Sequence, residues 1–235
     1  MIKFTISIFI LVLTGITFEL KAQDFLEVKY SINDITTQRN NFRQEKIKTV
    51  IMKIDLDEII YKIDEDGKIL KKAKYSDPLL EVIYNYENLN LVTTHSPATG
   101  ERNFKYDLNG NVTNSIDAST SETYFYDSKN RLLRFESEME SEEGEGTVGA
   151  DTINYTENLV IEEIFPVSMG FYDRTTYEYS ESNQLISKKI FSRHSTSDKE
   201  ELISNEKYFY IDNSILPFKM IIDNQEIKFV YEYYK

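Results

Sequence analysis

The sequence predicts an all-β fold: an antiparallel meander of repeated β-hairpins, curled into an open sheet, a half-barrel or a short coiled shell. Aromatic residues recur at alternate positions, as they do on one face of a strand, and turn-forming residues follow them at a fixed offset. In addition, no stretch carries a sustained helical period of apolar residues. The 235 residues are therefore expected to form mostly sheet.

Residues 1–22 predict a secretory signal peptide, which leaves 23–235 as a single all-β repeat domain. Lys3 precedes an uncharged apolar run from Phe4 to Phe18. That run is shorter than the ~20 residues that span a bilayer, and Ala22 offers a small residue before a cut. An uncleaved anchor is the alternative. The protein is expected to be exported to the periplasm, the outer membrane surface or the extracellular space, and to contact the membrane only through the signal peptide before cleavage.

The region after the signal peptide leads into the repeats. Val28, Tyr30 and Ile32 alternate and predict a first strand, whereas the polar segment 33–45 predicts a long loop or a short, poor helix. The stretch 47–54, IKTVIMKI, is rich in β-branched residues and predicts a strand.

A short pattern then occurs twice between residues 104 and 133. Its copies are FKYDLNGNV, starting at Phe104, and YFYDSKNRL, starting at Tyr124. An Asp at the first turn position can accept hydrogen bonds from the backbone amides ahead of it. A Gly or Asn three residues later tolerates the left-handed conformation that the turn requires. Each copy therefore predicts a hairpin with its own turn. The predicted turn positions are Asp64, Gly67, Asp107, Gly110, Asp127, Asn130 and Asn183.

Weaker copies on both sides of this stretch make the chain an array. The last aromatic residue before the turn falls at Tyr86, Tyr106 and Tyr126, with 20 residues between successive copies. Later copies follow at wider and uneven intervals, as far as Tyr231. A basal period near 20 residues with insertions is what hairpins with outer loops of variable length would give.

These units resemble the YD repeats of the RHS family, whose pattern is an aromatic, a spacer, Tyr-Asp, two spacers and then Gly-Arg-Leu or similar. The likeness extends over about residues 61–231. In that family the repeats form a long, coiling antiparallel sheet, and the large members enclose a toxic or signalling domain. This chain is too short for such a shell and lacks the protease-like end of the large members, so the resemblance implies the strand-turn-strand unit and no activity. The best matching residues are Tyr106, Asp107, Gly110, Tyr126, Asp127, Arg131 and Leu132.

A ladder of aromatic pairs at spacing two is the most regular feature of the array. One interpretation is cross-strand packing, in which aromatic rings on one face stack on the next strand and hold the register. The other is a tyrosine-rich platform for a glycan or a peptide. Packing is favoured because the chain has no Trp, the strongest stacking ring for such a platform. The ladder consists of Tyr84, Tyr86, Phe104, Tyr106, Tyr124, Tyr126, Tyr177, Tyr179, Tyr208 and Tyr210.

The segment 136–150, ESEMESEEGEGTVGA, interrupts the array. Its Glu and Gly content predicts an acidic, solvated loop. The loop carboxylates could hold calcium loosely. A calcium-binding EF-hand is not predicted, because aligning Gly67 or Gly110 with the invariant glycine of that loop puts Lys and aliphatic residues at its first and last ligand positions. No cofactor and no specific metal site is expected.

Few residues are available for catalysis. The chain contains two histidines, His95 and His194, and no cysteine. Ser and Asp residues close to His194 are neighbours in sequence, which does not make a triad, and no G-x-S-x-G motif occurs. The absence of cysteine also excludes disulfides and thiolate metal sites. The protein is therefore expected not to be an enzyme.

The formal net charge of −13 disfavours nucleic acid and anionic membrane surfaces as partners.

The leading hypothesis is a non-enzymatic binding or structural protein, whose partner would be another protein or component of the cell envelope. One alternative is an envelope carrier that holds a lipid or lipoprotein acyl chain in an open half-barrel. Another is a glycan-binding protein, which requires exposed Tyr near paired carboxylates. An open sheet would also have edges to protect, and Lys71, Lys72 and Lys188 are expected to do so.

Overall fold

The computed structural model describes residues 32–141, 144–155, 159–166, 171–182, 184–194, 199–211 and 214–235. This part of the chain contains one helix, α1 (Ile32–Gln44), followed by sixteen strands. The strands are β1 (Ile47–Ile54), β2 (Asp57–Ile63), β3 (Ile69–Lys74), β4 (Asp77–Glu87), β5 (Asn90–Ser96), β6 (Gly100–Tyr106), β7 (Val112–Ile116), β8 (Thr120–Tyr126), β9 (Leu132–Ser141), β10 (Gly144–Tyr155), β11 (Leu159–Pro166), β12 (Phe171–Tyr179), β13 (Leu185–His194), β14 (Glu201–Tyr210), β15 (Pro217–Ile222) and β16 (Gln225–Tyr233).

Each strand pairs antiparallel with the next strand in the sequence, so the predicted meander of hairpins is confirmed. The curl of the sheet continues until the first and last strands meet. β1 pairs with β2 on one side and with β16 on the other, with Val50 opposite Tyr231 and Met52 opposite Phe229. The strand order therefore runs round a closed barrel. Closure gives every edge strand a backbone partner.

The acidic segment 136–150 is a correction to the sequence analysis, because its described residues, 136–141 and 144–150, are strand rather than loop. It covers the end of β9 and the start of β10, with Glu136 opposite Ala150. Composition predicts a loop since Glu and Gly are depleted in strands. Here β8 and β11 provide backbone partners on the outer sides of the β9–β10 hairpin, and this pairing outweighs the local preference.

Two further predictions are corrected near the helix and at the sheet edges. A strand was predicted over 28–32, but α1 begins at Ile32, and residues 28 and 30 lie outside the described part. The lysines predicted to protect edges lie in strands that are paired on both sides, because the barrel is closed. Lys188 is buried, with 5% of its surface exposed. The predicted signal peptide, residues 1–22, also lies outside the described residues.

The inner face of the sheet packs into two hydrophobic clusters. The larger lies between the first three strands, the last three strands and α1, and its fully buried members include Val50, Met52, Tyr61 and Met220. The second is formed by Leu91, Phe104, Val112 and Tyr124 on β5–β8. Tyr84 packs against both clusters and so joins them. Inward-facing side chains of β1–β9 and β13–β16 thus pack together inside the barrel.

Within the described residues, the structure contains no helix with the length and apolar character that crossing a bilayer requires.

Candidate functional site

Alternate turns of the meander lie at the same end of the barrel, which we call the turn rim. Among the described residues it comprises the turns after β2, β4, β6 and β8 and the described parts of the turns after β12 and β14. The turn after β6 shows the chemistry in full. The Asp107 carboxylate accepts hydrogen bonds from the backbone amides of Asn109 at 2.8 Å and Asn111 at 2.9 Å. The Gly110 amide donates to the Asp107 carbonyl at 3.1 Å, and Gly110 has a φ of 89°. The Asp side chain and the left-handed residue together fix the turn.

The turns after β2 and β8 use the same geometry. Asp64 accepts from the Lys68 amide at 2.7 Å, and Asp127 accepts from the Arg131 amide at 2.9 Å. The left-handed positions are Gly67, with φ 80°, and Asn130, with φ 58°. The amide of Arg131, followed by its guanidinium, lowers the pKa of the Asp127 carboxyl.

The turn after β12 departs from this pattern. Asn183, predicted as its left-handed residue, lies outside the described residues. The Ser180 hydroxyl accepts a hydrogen bond from the Gln184 amide at 3.1 Å, so a serine oxygen stands where the other turns have an Asp carboxylate. Ser and Asp side chains both cap local amides, although Ser does so more weakly.

Tyrosines just inside the turn rim form a ring that we call the tyrosine collar: Tyr86, Tyr106, Tyr126, Tyr210 and Tyr231. Each hydroxyl donates a hydrogen bond to a backbone carbonyl near the start of the preceding strand. The acceptors are the carbonyls of Ile69 (3.0 Å), Leu91 (2.8 Å), Val112 (2.6 Å), Leu185 (2.9 Å) and Pro217 (2.5 Å), respectively. The collar therefore ties neighbouring strands together through side chains and satisfies buried hydroxyls.

Burial changes the pKa values of the collar tyrosines. It raises the pKa of Tyr106 to about 12, although the hydrogen bond to Leu91 and the nearby Arg39 oppose the change. Burial also raises the pKa of Tyr86, Tyr210 and Tyr231. All these groups are neutral donors in ordinary buffers, and their role is structural rather than acid–base.

A second layer of aromatic residues lies farther from the turn rim, two positions before the collar-level tyrosine of each strand. It is formed by Tyr84, Phe104, Tyr124, Tyr177 and Tyr208. Phe104, Tyr124 and Tyr208 are 9%, 5% and 6% exposed. The aromatic ladder thus points into the barrel, with Tyr179 in β12 at the collar level between Tyr126 and Tyr210. This placement fits cross-strand packing, and the buried rings do not form an exposed stacking platform.

A third layer contains two glutamates that the sequence analysis missed. Glu122 lies two residues before Tyr124, and Glu206 lies two residues before Tyr208. In each pair the tyrosine hydroxyl donates to the glutamate carboxylate, at 2.8 Å for Tyr208 and Glu206. The sequence contains a shared pattern that could have marked both pairs, because residues 122–126 read ETYFY and residues 206–210 read EKYFY.

Each of these glutamates faces a cation inside the barrel. Arg102 Nη2 lies 3.3 Å from Glu122 Oε1, and Arg102 Nε lies 3.3 Å from the Asp117 carboxylate. Glu206 is fully buried and lies directly opposite Lys188 in the β13–β14 pair. Arg102 thus offsets the charge of Glu122, and the strand register places the Lys188 side chain beside Glu206 on the inner face.

Helix α1 lies against the turn rim. Its Phe42 is 1% exposed and belongs to the larger core cluster. The Arg39 guanidinium lies 5.4 Å from the centre of the Tyr86 ring. A Cβ on Gly67 would lie only 2.3 Å from the Arg39 carbonyl oxygen, so the absence of a side chain there permits the contact. A cavity of about 20 Å³ remains between α1 and the collar, enough for a water molecule.

Among the described residues, no group of three or more His, Cys, Asp or Glu side chains is placed to hold a metal ion. The two histidines lie on separate strands, His95 opposite Ile83 and His194 opposite Phe171.

The comparisons with known proteins show no family for this chain. No protein-family model matches the chain, and no curated protein matches it. One solved structure that is similar is a porin-like protein from Bacteroides vulgatus, at 12% sequence identity and a TM-score of 0.35. The match covers 80% of this chain and 94% of that one. At this level the likeness carries no statement about activity, ligand or partner.

Proposed function

We propose that the protein is an exported, non-enzymatic binding or structural protein built from repeated hairpins. The observation that carries this proposal is the packed inner face of the strands whose side chains the structure describes. Two packed clusters, the tyrosine collar and the charge pairs around Glu122 and Glu206 occupy the face that a ligand-carrying barrel would leave open. The surfaces that remain for function are the outer face and the two rims. Export rests on the signal peptide predicted for residues 1–22.

The alternative of a lipid carrier loses support from the same packing. An acyl chain needs a continuous apolar concavity, since each buried CH₂ contributes about 0.8 kcal/mol only where it leaves water. Val50, Met52 and Tyr61 instead contact other side chains in the core. The cavity beside α1 is about 20 Å³ and is lined partly by Gln38 and Lys68, so it is too small and too polar for an acyl chain.

The glycan-binding alternative loses support from the orientation of the tyrosines. Stacking on a sugar requires an exposed ring face. The collar tyrosines face inward and their hydroxyls are bonded to backbone carbonyls. The carboxylates of Glu122 and Glu206 accept hydrogen bonds from the buried Tyr124 and Tyr208 hydroxyls and so belong to internal pairs.

The outer face combines ion pairs with apolar side chains that are partly exposed, among them Phe125, Phe218 and Val230. Cross-strand ion pairs lie along it, including Lys53–Glu58 at 3.1 Å and Lys189–Glu178 at 3.0 Å. An antiparallel sheet tolerates such a wet face when its other side is packed. A scaffold whose exterior carries both ion pairs and apolar side chains suits a protein that presents fixed surfaces to other macromolecules.

Native mass spectrometry of the mature protein, purified gently from the envelope and medium of its own host, tests this proposal. We expect either the bare chain or the chain with a protein partner at a fixed ratio. A co-purifying mass of lipid size would contradict the proposal and favour a carrier. A fluorescent fatty-acid displacement assay on the same sample provides a control, and saturable displacement would have the same meaning.

A further inference from the structure

We propose that the barrel end opposite the turn rim carries a docking site for a protein face with an apolar stripe flanked by lysine and arginine. This inference rests on the proposed binding role and names the surface and the kind of partner. The site is centred on Leu56, Tyr75 and Leu79, which we call the tip patch.

The tip patch consists of three large apolar side chains exposed to water at the same end of the barrel. Leu56 is 105% exposed relative to its reference state, Tyr75 is 84% exposed and Leu79 is 59% exposed. Leu56 lies in the turn between β1 and β2, and Tyr75 in the turn between β3 and β4, with Leu79 just after it. Single exposed apolar residues are ordinary, but grouped ones on neighbouring turns mark interaction surfaces.

The two turns are bonded to each other, which fixes the patch. The Ser76 hydroxyl donates to the Asp57 carboxylate at 2.6 Å, and the Lys74 amine lies 3.3 Å from the same carboxylate. The Tyr75 amide donates to the Glu58 carbonyl at 2.9 Å. The residues flanking Leu56 and Tyr75 are therefore held together. A surface ordered in advance loses less entropy on binding, so the patch is suited to act as an anchor.

A third turn joins the same end of the barrel. The Gln225 side-chain amide donates to the Asp55 carboxylate at 2.7 Å, which links the turn between β15 and β16 to the turn that carries Leu56. The support under the patch therefore includes the closure of the barrel, where β1 meets β16.

The charges around the tip patch indicate the chemistry of its partner. Segments 53–58, 74–79 and 223–225 contain five acidic residues and two lysines. Both lysines pair within the site, Lys53 with Glu58 at 3.1 Å and Lys74 with Asp57 at 3.3 Å. The acidic excess has the sign of the whole chain, whose net charge is −13. Apolar anchors in an acidic ring complement an apolar stripe edged by cations.

The test uses the mature full chain and a fluorescein-labelled amphipathic helical peptide of leucine and lysine, with a leucine–glutamate peptide of the same length as comparison. Binding is followed by fluorescence anisotropy. The variant Leu56→Ser/Tyr75→Ser/Leu79→Ser removes the patch and keeps every charge. Leu108→Ser is the matched control, because Leu108 is 107% exposed on a turn of the opposite rim.

We expect the triple variant to bind the leucine–lysine peptide at least about tenfold more weakly than the natural chain, as loss of central anchors does. The control should bind unchanged, the leucine–glutamate peptide should not bind, and affinity should fall as salt is raised. Circular dichroism verifies that both variants fold. Equal affinity of the triple variant and the natural chain would overturn the site, while the binding role itself would stand.

A lipid surface is the competing occupant, and vesicles of zwitterionic lipid distinguish it. The natural chain should stay in the supernatant when such vesicles are sedimented. Sedimentation of the natural chain but not of the triple variant would show that the patch binds lipid and would overturn a protein partner. The proposed function is tested separately: a co-purifying mass of lipid size in native mass spectrometry would contradict it.

Discussion

Gly67 is the point where a hairpin turn meets helix α1, and replacing it by alanine isolates the contribution of that contact. Gly67 has a φ of 80°, and its missing Cβ would meet the Arg39 carbonyl oxygen at 2.3 Å. Gly100 has nearly the same backbone conformation, with φ 77°, but a Cβ there would meet nothing within 4 Å. The pair Gly67→Ala and Gly100→Ala therefore shares the backbone strain and differs in the steric clash.

The expected magnitudes follow from these distances. A left-handed alanine costs about 1–2 kcal/mol at either position. At Gly67 the helix backbone must also retreat by about 1 Å to restore an ordinary contact of 3.4 Å. That shift loosens Phe42, whose full burial contributes about 1.5–3 kcal/mol. We therefore expect Gly67→Ala to cost about 2–4 kcal/mol of unfolding free energy, and Gly100→Ala about 1–2 kcal/mol.

Urea unfolding measures both variants, with near-ultraviolet circular dichroism of the tyrosines as the signal. A Phe42→Ala background supplies the decisive comparison, since it removes the anchor that the clash displaces. In that background, Gly67→Ala should cost no more than Gly100→Ala, a coupling that a double-mutant cycle detects. Equal costs for the two glycine variants in the natural background, or additive effects of Phe42→Ala and Gly67→Ala, would refute the reasoning.

Three further predictions concern the collar, the buried charges and the turn aspartates. Tyr106→Phe should lower the unfolding free energy in urea by about 1 kcal/mol, because the Leu91 carbonyl loses the hydroxyl that donates to it. The control Tyr75→Phe, at an exposed tyrosine, should leave the unfolding free energy unchanged. Equal effects of the two variants would contradict a stabilising role for the collar. Glu206→Ala should cost about 3–5 kcal/mol since it leaves buried Lys188 without its facing carboxylate, whereas Glu232→Ala on the outer face should cost less than about 1 kcal/mol. A small loss at Glu206 would contradict the charge pairing. The lowered pKa of Asp127 means that its contribution is present above the unfolded pKa of about 3.9 and is lost as pH falls through the lower folded pKa. Between about pH 5 and pH 3, the unfolding free energy of Asp127→Asn should therefore fall less than that of the natural chain. An equal fall in both proteins would contradict a stabilising role for the hydrogen bonds to the Asp127 carboxylate.

The hairpin character of the fold could be predicted because it depends on local chemistry. Alternation of aromatic residues sets the strand faces, and turn residues such as Asp107 and Gly110 act within a few residues of themselves. Closure of the barrel could not be predicted in this way. It depends on β1 and β16, which lie at opposite ends of the array, and no local pattern states that they pair.

The sequence predicted α1 only as one of two alternatives, a short, poor helix or a long loop, and it did not predict the acidic hairpin, for a related reason. The helix sequence is polar and a weak helix former, and its place is set by burial of Phe42 and by the contact of Arg39 with Gly67, both of which are tertiary. The strands over 136–150 depend on partners in β8 and β11. The glutamates of the inner layer, Glu122 and Glu206, were masked by the many solvated glutamates of an acidic chain.

The meeting of β1 with β16 also has a consequence for how the chain reaches its native state. Residues 47–54 are hydrogen-bonded to residues 227–233, so the seam cannot form until nearly the whole polypeptide is available. Contacts between residues so far apart in the sequence form slowly. Until they form, β1 and β16 each have an unpaired edge that can aggregate with other chains. Because the two strands are neighbours in space, a circular permutant that joins them by a short linker and opens the chain at another turn would convert the slowest pairing into a local hairpin.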